Sequence, residues 1–201
     1  PLFRSRPDVE PLEMDTQDIE LLINDFSKAA IRAVKAGFDG IEIHGAHLYL
    51  LSQFLSPLTN KRKDRYGGDA KDRAILALEI VRKVRKELGR EYPIFFRINA
   101  VEKIDGGQTL EDALVIGSLL ADEGVDVFDV SLIAHGGFKV LEDNPKVTSK
   151  TLLAGSSALP KDQPSGANVA FTAAFKERIG LPVIAVGKFG IGKAAFKAVE
   201  N

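Results

Sequence analysis

Two histidines and a tyrosine crowd into the six residues His44-Gly-Ala-His-Leu-Tyr49, and these side chains can do chemistry together. Two imidazoles at that spacing can each donate a hydrogen bond to one oxygen atom, which polarises a carbonyl or holds a phenolate. A phenol beside them can deliver a proton to carbon. Leu48, Leu51 and Leu55 recur at helical spacing and Pro57 closes the stretch, so a short helix is expected to begin near Ala46 and throw His44, His47 and Tyr49 toward one opening. Two plainer readings stand beside this one. The histidines could simply bond loop carbonyls, or they could ligate a metal. The metal reading is short of ligands, because only His135 remains elsewhere and no carboxylate shares the loop at a familiar zinc spacing.

Arg97 is the next candidate. It sits inside an apolar run with Phe95 and Asn99 on its side of the alternation, and a guanidinium buried there needs partners, for which Glu42 and Asp129 are candidates. A plain barrel ion pair explains it as well as a contact with a ligand does. The stretch Ala185-Val-Gly-Lys-Phe-Gly190 could offer backbone N–H groups to a phosphate, though as a signal it is weak alone.

The elements that must position these residues repeat one grammar. Asp15 or Thr16 can cap a helix whose apolar residues Ile19, Leu22, Ile23, Phe26, Ala30, Ala33 and Val34 share one face; Gly37 ends it, and Gly40 to His44 reads as a buried strand. A helix from Asp72 to Leu88 with Gly89 precedes the strand Ile94 to Ile98. Thr109-Leu-Glu-Asp112 resembles a capping box and opens a helix to about Glu123, followed by Gly124 and the strand Val127 to Val130. A last helix from Asn168 to Ile179, then Gly180, leads to the strand Pro182 to Val186.

Helix, glycine and strand in short succession predict an α/β fold with a parallel sheet and helical crossovers. The long segments, 45 to 71, 99 to 108 and 131 to 167, all follow strands, where barrels and open sheets alike build their sites. Strands of an open doubly wound sheet are apolar on both faces, but here Glu42 with His44, Phe95 with Arg97 and Asn99, and Val127 with Asp129 and Ser131 share sides. That pattern predicts a barrel interior. Closure takes about eight strands, so the chain is expected to be one domain, residues 1 to 201, forming a partial (β/α)8 barrel with an extended lead-in over 1 to 14. Its open edges invite self-association.

Composition narrows the partners. The 201 residues are 45% hydrophobic with a formal net charge of -1, so a core can form and neither nucleic acid nor a membrane surface is implied. Cysteine is absent, which removes disulfides and thiolate chemistry. No signal peptide or membrane span is visible, and a soluble cytoplasmic protein is expected. The chain opens at Pro1 with its one methionine at Met14, and this is expected not to be a natural translation start. Lys61 to Arg65 reads as a solvated turn, and His135 with Gly136-Gly137 falls in a long loop that nothing assigns to chemistry.

The run from His44 through Ser-Gln-Phe-Leu-Ser-Pro57, followed by Asn60, Arg62, Asp64 and Tyr66-Gly-Gly68, resembles the signature of the old yellow enzyme family. The likeness extends upstream through Ala36-Gly-Phe-Asp-Gly-Ile-Glu-Ile43 and downstream through Phe96-Arg-Ile98 and Gly124-Val-Asp-Val-Phe-Asp-Val-Ser131. Resemblance to that family implies a (β/α)8 barrel holding FMN at its mouth, with hydride passing from NADH or NADPH through the flavin to the β-carbon of an enone or enal. It implies that His44 and His47 hold the substrate's carbonyl oxygen, that Tyr49 protonates the α-carbon, and that Arg97 lies against the flavin pyrimidine. It also implies phosphate contacts from the Gly187-Lys188 loop and from a Gly-Arg loop after a further strand, with three more strands preceding Pro1. It further implies that the Lys61 to Arg65 run braces the loop. Leu48 departs from the glycine usual between the second histidine and the tyrosine. A metal-dependent barrel hydrolase, a Schiff-base lyase using Lys188, and a noncatalytic scaffold remain as alternatives.

Overall fold

Local chemistry starts the three longest helices. The computed structural model describes residues 12–103, 106–133 and 166–187, with isolated positions beyond. Asp15 caps helix α1 (Thr16–Lys35): its carboxylate accepts from the Asp18 N–H at 2.8 Å, and Asp18 reaches back to the Asp15 N–H at 3.1 Å. Thr109 and Asp112 make the same reciprocal pair at the head of helix α4 (Leu110–Glu123). Asp69 caps helix α3 (Ala70–Leu88), accepting from the Lys71 and Asp72 N–H groups. Between α1 and α3 come strand β1 (Ile41–Gly45) and helix α2 (Leu50–Leu55). Strand β2 (Ile94–Glu102) precedes α4, strand β3 (Val127–Ile133) follows it, and helix α5 (Val169–Ile179) leads to strand β4 (Val183–Ala185).

The four strands are parallel and lie side by side in chain order, β1-β2-β3-β4. A doubly wound sheet reverses direction at a switch point; this one does not, and its helices follow in a single layer, α1 on α3, α3 on α4 and α4 on α5. The arrangement is a wall segment of a (β/α) barrel. On the helix side, Ile43, Phe96 and Phe128 pair across β1, β2 and β3, and both phenylalanines are completely buried. Phe128 meets Phe175 of α5 with ring centroids 5.8 Å apart. On the other face, in the register rows, Glu42 stands beside Phe95 and Val127, His44 beside Arg97 and Asp129, and Asn99 beside Ser131. These rows match the alternation read from the sequence.

At the N-terminal ends of the strands Arg85 binds the helix-to-strand connections together. Its guanidinium donates to the carbonyls of Gly89, Tyr92 and Gly124 and pairs with Asp126, whose carboxylate also accepts the Ile94 N–H at 2.8 Å. Helices α4 and α5 come together at Gly117, where a Cβ would stand 2.7 Å from Ile179 Cδ1.

Several boundaries differ from those expected. Strand β2 continues past Ile98 to Glu102 with a register shift between Asn99 and Glu102, and β3 runs to Ile133, so 131 to 133 belong to the sheet and not to a loop. Continued pairing satisfies backbone groups that a buried loop would leave orphaned. Residues 134–165, including His135, and residues 1–11 of the expected lead-in lie outside the described residues. Among the described residues no helix is long and apolar enough to cross a membrane.

Gly45 closes β1 where a Cβ would lie 2.4 Å from the Phe96 ring and 3.0 Å from the Arg97 carbonyl oxygen. Gly45→Ala is therefore expected to cost about 1–3 kcal/mol through overpacking, read as a lower urea midpoint. An unmoved midpoint would mean that β1 is free to shift against β2.

Candidate active site

Strand β1 hands the chain to a turn of unusual backbone. His47 and Leu48 have φ of 58° and 62°, and they are the non-glycine residues with positive φ among those described. Such left-handed geometry costs roughly 1–2 kcal/mol per residue, and it cannot continue a helix. This is why α2 begins at Leu50 and not near Ala46: Tyr49 is its N-cap, and the end of β1 with the turn, rather than a helix, positions the three side chains. Leu48, which stands where the resemblance leads one to expect glycine, adopts the conformation that favours glycine and buries its side chain.

The turn folds His47 back over the sheet. Its Nε2 lies 2.7 Å from Ser131 Oγ at the top of β3, and its backbone N–H donates to Asn99 Oδ1 of β2 at 3.3 Å. Asn99 in turn donates to Ser52 Oγ of α2 at 3.2 Å. The His44 ring centroid stands 5.3 Å from that of His47 and 5.1 Å from that of Tyr49. The three rings thus cluster at one strand end, with His47 buried, His44 half-buried and Tyr49 exposed.

Arg97 occupies the register position between His44 and Asp129. Its Nε approaches Asp129 Oδ2 to 3.3 Å without hydrogen-bond alignment, so Arg97 Nε and Asp129 Oδ1 are both buried and unbonded among the described residues. Of the two partners expected for Arg97, Asp129 makes the ion pair; Glu42 lies in the row below. Burial raises the Asp129 carboxyl above its ordinary value, and the Arg97 charge offsets part of that. Burial, then Asp129, raises Glu42, again against Arg97. Both histidines are pushed the other way. Burial, then Arg97, lowers His44, while burial, Arg97 and His44 together take His47 down to about 4. Both rings are therefore neutral near pH 7, able to donate one N–H each and poor proton donors in their own right.

Gly187 follows β4 at φ 121°, a conformation that favours glycine, and Asn168 Nδ2 fixes the preceding Val186 carbonyl at 2.8 Å. Lys188 lies outside the described residues. The Lys61 to Arg65 run is more than a solvated turn: Arg62 is mostly buried, donates to the Met14 carbonyl at 2.8 Å and pairs with Asp64, while Asn60 bonds the carbonyls of Phe54 and Tyr66. It braces the segment behind α2. Among the described residues, no three His, Asp or Glu side chains gather as a metal site. Ser131 and the side-chain bonds of Asn99 were not assigned from sequence. Their alternation was visible, but their meeting with His47, 84 and 52 residues away, follows only from strand register.

Comparison with known proteins places this geometry in context. The profile of the NADH:flavin oxidoreductase / NADH oxidase family matches residues 4–201. An NADH oxidase of Thermoanaerobacter brockii is 40% identical over 178 residues, covering 89% of this chain and 25% of that protein. An NADPH dehydrogenase of Listeria welshimeri is 42% identical over 122 residues, 61% of this chain and 36% of the relative. Among solved structures, a 2-naphthoyl-CoA reductase in complex with 2-naphthoyl-CoA superposes with a TM-score of 0.79 at 27% identity, over 94% of this chain and 26% of that one. The chain thus spans between 25% and 36% of the length of these three relatives.

The low value for His47 has a consequence for stability. Between its ordinary value of 6.5 and about 4, the folded chain binds fewer protons at His47 than the unfolded chain, so this contribution is complete above pH 6.5 and is lost as pH falls toward 4. An NMR titration of the imidazole is expected to show His47 neutral down to about 4, and His47→Gln is expected to flatten the acid limb of a stability-against-pH curve. Titration at the ordinary histidine value would refute the burial.

Proposed function

The chain belongs to the NADH:flavin oxidoreductase / NADH oxidase family, and on that premise we propose that it carries the substrate-facing residues of an FMN-dependent enzyme of ene-reductase type. The reaction is reduction of the C=C bond of an α,β-unsaturated carbonyl compound, an enone or enal, at the expense of NADH or NADPH. The observation that carries this reading is the clustering of His44, His47 and Tyr49 at one strand end, with Arg97 in the adjoining register position.

The residues fit FMN. Arg97 Nε is a buried donor with no hydrogen-bond partner among the described residues, held on a strand beside the histidines, where an acceptor on the pyrimidine edge would satisfy it. Gly187, with its left-handed backbone at the end of β4, is suited to present an N–H toward a phosphate; the part of Lys188 in that loop stays a proposal from sequence. FMN held there would supply hydride-transfer chemistry between NADH or NADPH and the substrate's β-carbon. Dependence on a reduced nicotinamide fits a cytoplasmic location.

The chain's own side chains do the rest. His44 and His47, both neutral, donate to the carbonyl oxygen and draw electron density from the conjugated alkene, leaving the β-carbon electrophilic. Neither imidazole is a ready acid, so the proton for the α-carbon comes from the Tyr49 phenol, whose ring lies 5.1 Å from that of His44. Arg97 stabilises negative charge beside it, and Asp129 holds the guanidinium in place.

In the holoenzyme, Tyr49→Phe is expected to slow alkene reduction by about 10²–10⁴-fold, the usual span for loss of a general acid, while reduction by the nicotinamide proceeds unchanged. His44→Asn and His47→Asn are expected to weaken binding of a p-hydroxybenzaldehyde probe about tenfold or more, as loss of a hydrogen bond to a charged ligand does. Arg97→Met is expected to alter flavin affinity and reduction potential. A protein that stays colourless after incubation with FMN, or a Tyr49→Phe variant as fast as the parent, would overturn the reading.

A further inference from the structure

Above the row that holds Arg97, the β2 register shift turns Glu102 into the protein, where it is buried. Its Oε2 accepts from Ser56 Oγ at 2.6 Å and from the Gln108 N–H at 2.9 Å, while its own N–H donates to the Gln108 carbonyl at 2.9 Å. One carboxylate thus joins the residue that ends α2 to the segment that begins α4. Gln108 then passes the connection inward. Its side-chain Nε2 donates to the Asn99 carbonyl at 2.5 Å, and the Asn99 side chain holds the His47 N–H on one side and Ser52 of α2 on the other.

We infer that Glu102 is a positioning residue for the histidine turn: by clamping α2 and the start of α4, it holds His47 and its neighbours over the strand ends. The inference deepens the reading above and rests on it for what the turn binds. A buried carboxylate without a close cation is a costly way to fill space. The cation whose charge acts on it, Arg73 of α3, is occupied by the carbonyls of Leu55 and Gly68 at 2.8 and 2.7 Å and stands 3.7 Å from Asp112 of α4. The turn it secures is the one with two consecutive left-handed residues, which need support from outside. An acceptor that ties the end of α2 to Gln108, whose side chain holds Asn99 beneath the His47 N–H, supplies that support.

Ionisation of Glu102 adds a signature that a space-filling residue lacks. The charged groups facing it are Arg73 from α3 and Asp112 from α4, and burial raises its carboxyl, ahead of the lowering by Ser56, Gln108 and Arg73. A raised folded value means that the folded arrangement is favoured with Glu102 protonated, and that this contribution is lost as pH rises through the titration. A glutamine keeps the acceptor oxygen and removes the titration; an alanine removes both.

The test uses the holoenzyme and two readouts, deuterium exchange in the peptide covering 46 to 58 and affinity for p-hydroxybenzaldehyde. Glu102→Ala is expected to speed exchange in that peptide and weaken the phenol about tenfold, the scale of one lost net hydrogen bond. Glu102→Gln is expected to restore both, and to abolish the wild-type loss of protection, measured relative to the intrinsic chemical exchange rate, as pH increases. Should Glu102→Ala not fold, Ser56→Ala provides the same comparison. Unchanged exchange and phenol affinity in the alanine variant would overturn the inference, as would a pH profile that Glu102→Gln leaves intact. If the wild type itself binds no phenol, the enone reading fails, while the exchange data still decide the clamp.

Discussion

Register between parallel strands decides which side chains in this protein can meet. His44, Arg97 and Asp129 come from segments far apart in the chain, yet they occupy one row because β1, β2 and β3 pair without slippage over that stretch. A one-residue slip would carry each of them to the helix face and bring Ile43, Phe96 and Phe128 into the interior. The packing therefore guards the chemistry: Phe96 and Phe128 are fully buried against the helices, and moving them out would expose two aromatic rings. The register shift beyond Asn99 is the one interruption in the β2-β3 pairing, and it comes just after the rows that carry the candidate site residues.

Charge is treated differently at the two ends of the strands. Below, Arg85 has its donors taken up by carbonyls and by Asp126, so it acts as a fastener with little capacity left for anything else. Above, among the described residues, Arg97 has one loosely aligned partner and an unbonded Nε. The contrast separates a cation that holds the fold from a cation that is able to hold a ligand. Arg73 belongs with Arg85: nearly buried, it ties α3 to the carbonyls of Leu55 and Gly68.

Much of the fold was legible in the sequence, for particular reasons. The Asp15 and Thr109 caps, the apolar spacing of α1 and the glycines after α3, α4 and α5 are local signals, and local signals locate helices well. Alternation located the polar interior, because a strand of period two cannot hide Arg97 and Asp129 from the face they occupy. The turn at His47 and Leu48 was not legible. Leucine spacing in Leu48, Leu51 and Leu55 imitates a helix that starts early, and only tertiary contacts with Ser131 and Asn99 pull the backbone into the left-handed region instead. Glu102 was hidden for a similar reason: beyond the register shift, its place in the alternation no longer reports the direction of its side chain. Lys188 and His135 lie outside the described residues, so the phosphate loop and the segment after β3 stand as the sequence alone presents them.

The strand order has a consequence for synthesis on the ribosome. Among the described elements, every strand after β1 pairs with the one just before it in the chain, and every long helix after α1 packs on its predecessor. Pairing partners are separated by one β/α unit of the chain. A nascent chain can then grow its sheet strand by strand as it emerges from the exit tunnel, with Arg85 locking the β2 and β3 connections once Asp126 has cleared it. Vectorial assembly of that kind adds each new strand at one edge, the one left by the strand just before it.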